Sequence, residues 1–92
     1  MEFVLRLNPA VLYKEAGDEI HVINVNSHQG LLRIDGIACD LFKSINGEQS
    51  LRAIVDQLVV EHEVKSADRR KFEAESKKFA SDLVAAEIAF AV

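Results

Sequence analysis

From Val11 to Ile34 the apolar residues recur with a period near two, and from Asp35 to Phe90 with a period near 3.6. The change of period divides the chain into a β part followed by an α part. Val11 to Glu15, then Ala16-Gly17-Asp18, then Glu19 to Asn26 predicts a hairpin, with β-branched and aromatic residues flanking a short segment whose glycine accepts a positive φ. The second of these strands carries Ile20, Val22, Ile23 and Val25, apolar on both parities. That pattern places it at the centre of the sheet with part of each face covered. Ser27 to Gly30 predicts the next turn and Leu31 to Ile34 a third strand, so a small antiparallel meander is the simplest arrangement. The sole proline, Pro9, marks the start of the first strand, where a missing N–H does least harm.

The helical part falls into three segments. Asp35 is placed to cap the first, on whose face Ala38, Leu41, Phe42 and Ile45 lie together, and Asn46-Gly47 is placed to stop it. Ser50 caps the second, whose Leu51, Ile54, Val55, Leu58 and Val59 have the spacing of a buried stripe. Ser66 reads as a third cap, with Asp68 suiting the positive end of the helix dipole. The long helix from about Ala67 places Phe72, Ser76, Phe79, Leu83, Ala86 and Phe90 on one seam, in which Ser76 and Ala86 are small enough for close approach of a neighbour.

Ninety-two residues, 49% apolar and 28% charged, with no linker, repeat or low-complexity run, read as a single ordered domain over 1–92. At this size roughly 60 to 65% of the unfolded surface is buried, enough for one core and not for a deep cavity as well. Eleven basic against fifteen acidic residues give a charge of -4. A net negative field repels phosphate backbones and anionic lipid, so neither nucleic acid nor membrane is the expected partner. One cysteine allows no internal disulfide, and no apolar run approaches ~18 residues. A cytoplasmic protein is expected.

Few residues offer chemistry. His21, His28 and His62 are dispersed, and within Glu61-His62-Glu63 neighbours on a helix diverge rather than converge on a metal. Cys39 falls one position off an apolar stripe, where a free thiol behaves as a small hydrophobe. The glycines are isolated, with no phosphate-binding loop, and Asp18 with Glu19 lies in an exposed turn. The expectation is a protein that is not an enzyme and uses no cofactor. The run Asp68-Arg69-Arg70-Lys71 favours a winged helix-turn-helix that reads DNA, the alternative function. Against it, five basic residues of the long segment (Arg69, Arg70, Lys71, Lys77, Lys78) meet five acidic ones (Asp68, Glu73, Glu75, Asp82, Glu87).

The sheet is left as the working surface. Leu31-Leu32-Arg33-Ile34 is short and apolar, and an extended peptide could add to it as a further strand, with side chains in a groove beside the long helix. The alternative is an edge protected by shortness, by twist or by the segment Phe3 to Leu7.

The order Ile34-Asp35, Ala38, Asn46-Gly47, Ser50-Leu51 and Ile54, with the hairpin upstream and Phe72, Phe79 and Leu83 downstream, resembles the PqqD family over roughly Pro9 to Phe90. The resemblance implies an α+β, winged helix-turn-helix-like fold: a three-stranded antiparallel sheet followed by three helices, also called a RiPP precursor recognition element. It implies a non-catalytic peptide chaperone that binds the leader of a ribosomally made precursor peptide and presents it to a modifying enzyme, often a radical SAM enzyme. The leader then lies against the third strand beside the third helix. By position, this assigns peptide binding to Leu31, Leu32, Arg33, Ile34 and Asp35 on the strand, and to Arg69, Phe72, Glu73, Ser76 and Lys77 on the helix. A monomer or weak dimer is expected. Two positions depart from the family pattern: Asp35 stands where many members have Asn, and the tail Glu87 to Val92 lacks the usual glycine.

Overall fold

The change of period at Asp35 is where the sheet ends and the helices begin. The computed structural model describes residues 2–27 and 30–92, and the predicted turn over Ser27 to Gly30, with His28, therefore lies partly outside the described residues. In chain order the elements are β1 (Leu5–Leu7), β2 (Val11–Ala16), β3 (Glu19–Asn24), β4 (Leu32–Asp35), α1 (Ile37–Lys43), α2 (Leu51–Glu61), α3 (Ser66–Ala85) and β5 (Ala89–Ala91). Strands β2, β3 and β4 form one antiparallel sheet in that order, and β1 pairs antiparallel with β5 in a separate two-stranded ribbon. The α+β fold with a three-stranded antiparallel sheet and three helices is the expected one; the ribbon is additional.

The hairpin closes at the pair Ala16 and Glu19. Gly17 has φ of 64° and Asp18 does not share the positive sign, the type II′ pattern whose twist matches that of the flanking strands. Strand β3 is central, but only one of its two apolar parities is covered. Ile20 and Val22 are buried under the helices, whereas Ile23 and Val25 sit with Leu12 on an outer face open to solvent. The inner face joins Ile34 of β4 to Leu41 and Phe42 of α1, the α2 stripe Leu51, Ile54, Val55 and Leu58, and Ala80 and Leu83 of α3.

Four helix ends differ from expectation. Asp35 is the last residue of β4 and caps nothing; Gly36 occupies the N-cap position of α1 at φ 64° and ψ -148°. Side chains with a Cβ essentially never adopt that conformation, so the strand-to-helix corner requires the glycine itself. Helix α1 stops at Ser44, and Asn46-Gly47 lies beyond it in the loop, where Gly47 N–H donates to Leu5 O at 3.1 Å. Lys65, not Ser66, is at the N-cap position of α3, with no side-chain bond. Ser50 does cap α2, its hydroxyl accepting from Ala53 N–H at 3.1 Å.

Helix α3 ends at Ala85, five residues before Phe90, because the chain reverses there to make β5. Ile88 N–H donates to Leu83 O and Glu87 N–H to Val84 O, the paired bonds of a Schellman turn, with Glu87 left-handed at φ 60°. Asn24, only 4% exposed, donates its Nδ2–H to Glu87 O at 2.7 Å and accepts Asn26 N–H at 2.8 Å, tying this turn to the central strand. The N-terminal segment is held by the ribbon on one side and by Leu51 N–H donating to Phe3 O at 2.9 Å on the other.

Helix α2 ends in the same way: Val64 N–H donates to Val59 O, and Glu63 is left-handed at φ 51°. A residue with a Cβ costs ~1–2 kcal/mol in that region and glycine almost nothing. Glu63→Gly is therefore expected to raise unfolding free energy by about 1 kcal/mol, read as a higher urea midpoint at unchanged slope.

Candidate functional site

Strand β4 pairs with β3 along Leu32 to Asp35 and with no other strand among the described residues. The segment Phe3 to Leu7, the candidate guard of this edge, is instead engaged with β5 and the loop before α2. The outer side of β4 is therefore open. Strand β2, the opposite edge, carries Lys14 and Glu15, charges of the kind that discourage edge pairing.

Where β4 ends, a groove of about 300 Å³ opens between α1 and α3. Asp35 is at its strand side, Ile37, Ala38 and Leu41 of α1 form one wall, and Phe72, Glu75, Ser76 and Phe79 of α3 form the other. Phe72, Ser76 and Phe79 meet there because positions spaced by four and three share a helix face. At the other end of β4 a smaller hollow of about 150 Å³ includes Leu31 and Leu32, with Ala86 and Ile88 opposite. The α3 seam from Phe72 to Ala86 thus follows β4 from its C-terminal end to its N-terminal end. The fourteen steps from Phe72 to Ala86 span ~21 Å, about the length of six extended residues.

The residues proposed from sequence separate into two groups. Leu32, Ile34 and Asp35 lie in β4 with Leu31 just before it, and Phe72 and Ser76 face the groove. Ile34 is buried and fixes the strand to the core, while Arg33 is on the outer face, 67% exposed and paired with Glu19 at 3.2 Å. His21, hydrogen-bonded to Glu19, and Arg33 together hold the Glu19 carboxyl below its ordinary range. Arg69, Glu73 and Lys77 are one stripe further round α3. Arg69 pairs with Asp56 of α2, Glu73 with Arg52 of α2, and Lys77 lines a depression with Arg52 and Arg70. The structure does not bring these three into the groove. Ile37, Ala38, Leu41, Glu75 and Phe79 are groove residues that the site assignment missed; Phe79 was visible as part of the seam, and the α1 residues were not.

Other candidate chemistry is dispersed. His21 Nε2 is 3.1 Å from Glu19 Oε1, and His62 Nε2 is 2.8 Å from Asp40 Oδ2. Among the described residues no three His, Cys, Asp or Glu are grouped to hold a metal, and no helix is long and apolar enough to cross a membrane. Three of the five basic residues of α3 are paired, Arg69 with Asp56, Lys71 with Glu75 and Lys78 with Asp82, while Arg70 and Lys77 have no ion pair among the described residues.

No family model matches the chain, and no curated protein matches it. A solved structure does: TbiB1, in complex with the TbiA(β) leader peptide, shares 19% identity, with a TM-score of 0.75 over 91% of this chain and 93% of that one. The likeness over nearly the full length of both chains is one of fold.

Burial pushes the Cys39 thiol up; Lys43 opposes the shift, and Asp35 and Asp40 add to it. Its sulfur donates to Ile34 O at 3.3 Å. Cys39 is therefore expected to react with iodoacetamide near neutral pH at about a tenth of the rate of free cysteine or less, followed by intact mass. Faster labelling than free cysteine would show an activated thiolate.

Proposed function

We propose that this protein binds the leader of a ribosomally made precursor peptide by strand addition to β4 and presents it to a modifying enzyme, without catalysis of its own. The observation that carries this reading is the open outer side of β4 alongside the groove formed by α1 and α3. The fold shared with TbiB1, whose structure holds a leader peptide, supports it, as does the resemblance of the sequence to the PqqD family. A radical SAM enzyme is the partner that the family resemblance suggests.

Magnitudes explain why both the edge and the groove are needed. A net contribution of ~0.5–1.5 kcal/mol per main-chain hydrogen bond gives a four-residue edge only a few kcal/mol. Association costs ~4–15 kcal/mol in lost freedom. The balance has to come from side chains, at ~25 cal/mol for each Å² of apolar surface removed from water. The walls offered by Phe72, Phe79, Ile37 and Leu41 supply that surface.

Isothermal titration against the small peptides encoded beside the gene tests the reading, with one of them expected to bind. Absence of binding to all of them, and to any neighbouring modifying enzyme, would refute it. Leu32→Pro, which removes a backbone donor, is expected to weaken that binding at least tenfold, checked with circular dichroism to exclude unfolding. Lys43→Ala removes only an exposed ion pair with Glu15, on the β2 side of the sheet, and is expected to change binding less than twofold. Equal losses from the two would remove β4 as the pairing strand.

A further inference from the structure

The groove has a chemistry of its own that restricts what the visiting strand can carry, an argument resting on the strand-addition reading above. Ser76 is 4% exposed and lies on the α3 wall. Ser44 of α1 donates its hydroxyl to Asp40 O one turn back at 2.9 Å; Ser76 makes no such bond, and its hydroxyl has no partner among the described residues. No fully enclosed side-chain oxygen or nitrogen is left unpaired among those residues, so the Ser76 hydroxyl meets water through the groove. A ligand that fills the groove displaces that water and has to replace its hydrogen bond.

Two acidic residues line the groove, Asp35 where β4 ends and Glu75 on α3. The Asp35 side chain has no ion pair or hydrogen bond among the described residues, and Glu75 is paired only with Lys71, at 4.0 Å and largely in solvent. No lysine or arginine lines the groove. Phe72 and Phe79 lie about one turn to either side of Ser76, so the space between these polar groups is apolar. An acidic side chain would meet like charges on a molecule already at -4, and an aliphatic one would leave the hydroxyl unpaired and cover the carboxylates from water. A long apolar stem ending in a cation meets neither difficulty.

We propose that the groove selects a basic residue, Lys or Arg, on the bound strand. Its stem lies along Phe72 and Phe79, and its head group is shared among the Asp35 and Glu75 carboxylates and the Ser76 hydroxyl. Asp35 and Glu75 are then the residues that determine which leaders bind.

A random dodecapeptide library displayed on phage, selected on the wild-type protein and on the Asp35→Asn/Glu75→Gln double variant, tests this. Both changes are near-isosteric at exposed positions, and circular dichroism verifies the fold. Wild-type selections are expected to share a Lys or Arg at one aligned position, a preference the double variant loses. A synthetic copy of the selected peptide is expected to bind the double variant about tenfold more weakly. Replacing its basic residue by Met should cost wild type the same factor and the double variant almost nothing, the signature of a coupled pair. Selected peptides with an acidic preference or no charge preference, or with additive losses in that cycle, overturn the inference and leave strand addition standing. If no peptide is enriched and no peptide encoded beside the gene binds in titration, the strand-addition reading fails and this inference with it.

Discussion

A β-strand carries hydrogen-bonding groups on both sides, and among the described residues β4 has a partner strand on only one of them. Everything proposed for this protein follows from that asymmetry. Neither β1 nor β5 pairs with β4; they pair with each other instead, Leu5 with Ala91 and Leu7 with Ala89. Water satisfies the edge in the free protein, so leaving it open costs little, and a peptide replaces water with main-chain partners at modest net gain. In the proposed complex the strand would provide register and direction, and selectivity would reside in the groove at its end.

The groove exists because α3 is held at a fixed offset from β4. At its C-terminal end the buried Asn24 amide grips Glu87 O, setting the reversal after α3 against the central strand. Along its length α3 is fastened to α2 on the far side, through Arg69 with Asp56 and Glu73 with Arg52. Leu83 and Ala80 turn into the core, which leaves Phe72, Ser76 and Phe79 at its margin, lining the groove with Ile37, Ala38 and Leu41 of α1 and with Asp35 at the end of β4. Of the basic residues of α3 only Arg69 takes part in this fastening; Lys71 and Lys78 pair along the helix itself with Glu75 and Asp82.

The parts of this design that were legible in the sequence are those with a strong local cause. The hairpin follows from Gly17, the α2 stripe from Leu51 to Val59 follows from its spacing, and Ser50 caps as serine does before such a stripe. The edge position of β4 follows from a meander of three strands. Illegible features had weak or shared local signals. Strands β1 and β5 are three residues each, too short to show a period, and only their pairing across the whole chain creates them. Asp35 and Gly36 both suit a strand-to-helix corner, and the backbone geometry selects the glycine. Along α3, Arg69, Glu73 and Lys77 lie one stripe away from Phe72 and Ser76, and which stripe faces the sheet depends on where α2 packs, which no local pattern encodes. The groove was thus legible as a seam on one helix, while its other wall, Ile37 to Leu41, appeared only with the fold.

The most direct test of the central claim is amide hydrogen exchange, residue by residue, on the protein alone and bound to a leader peptide found by titration. Strand addition at β4 predicts that amides of Leu31 to Asp35 pointing away from β3 exchange at least tenfold more slowly in the complex, with β2 unchanged. Protection confined to β2, or to the α2–α3 side around Arg52 and Arg70, with the β4 amides exchanging as before, would contradict the account.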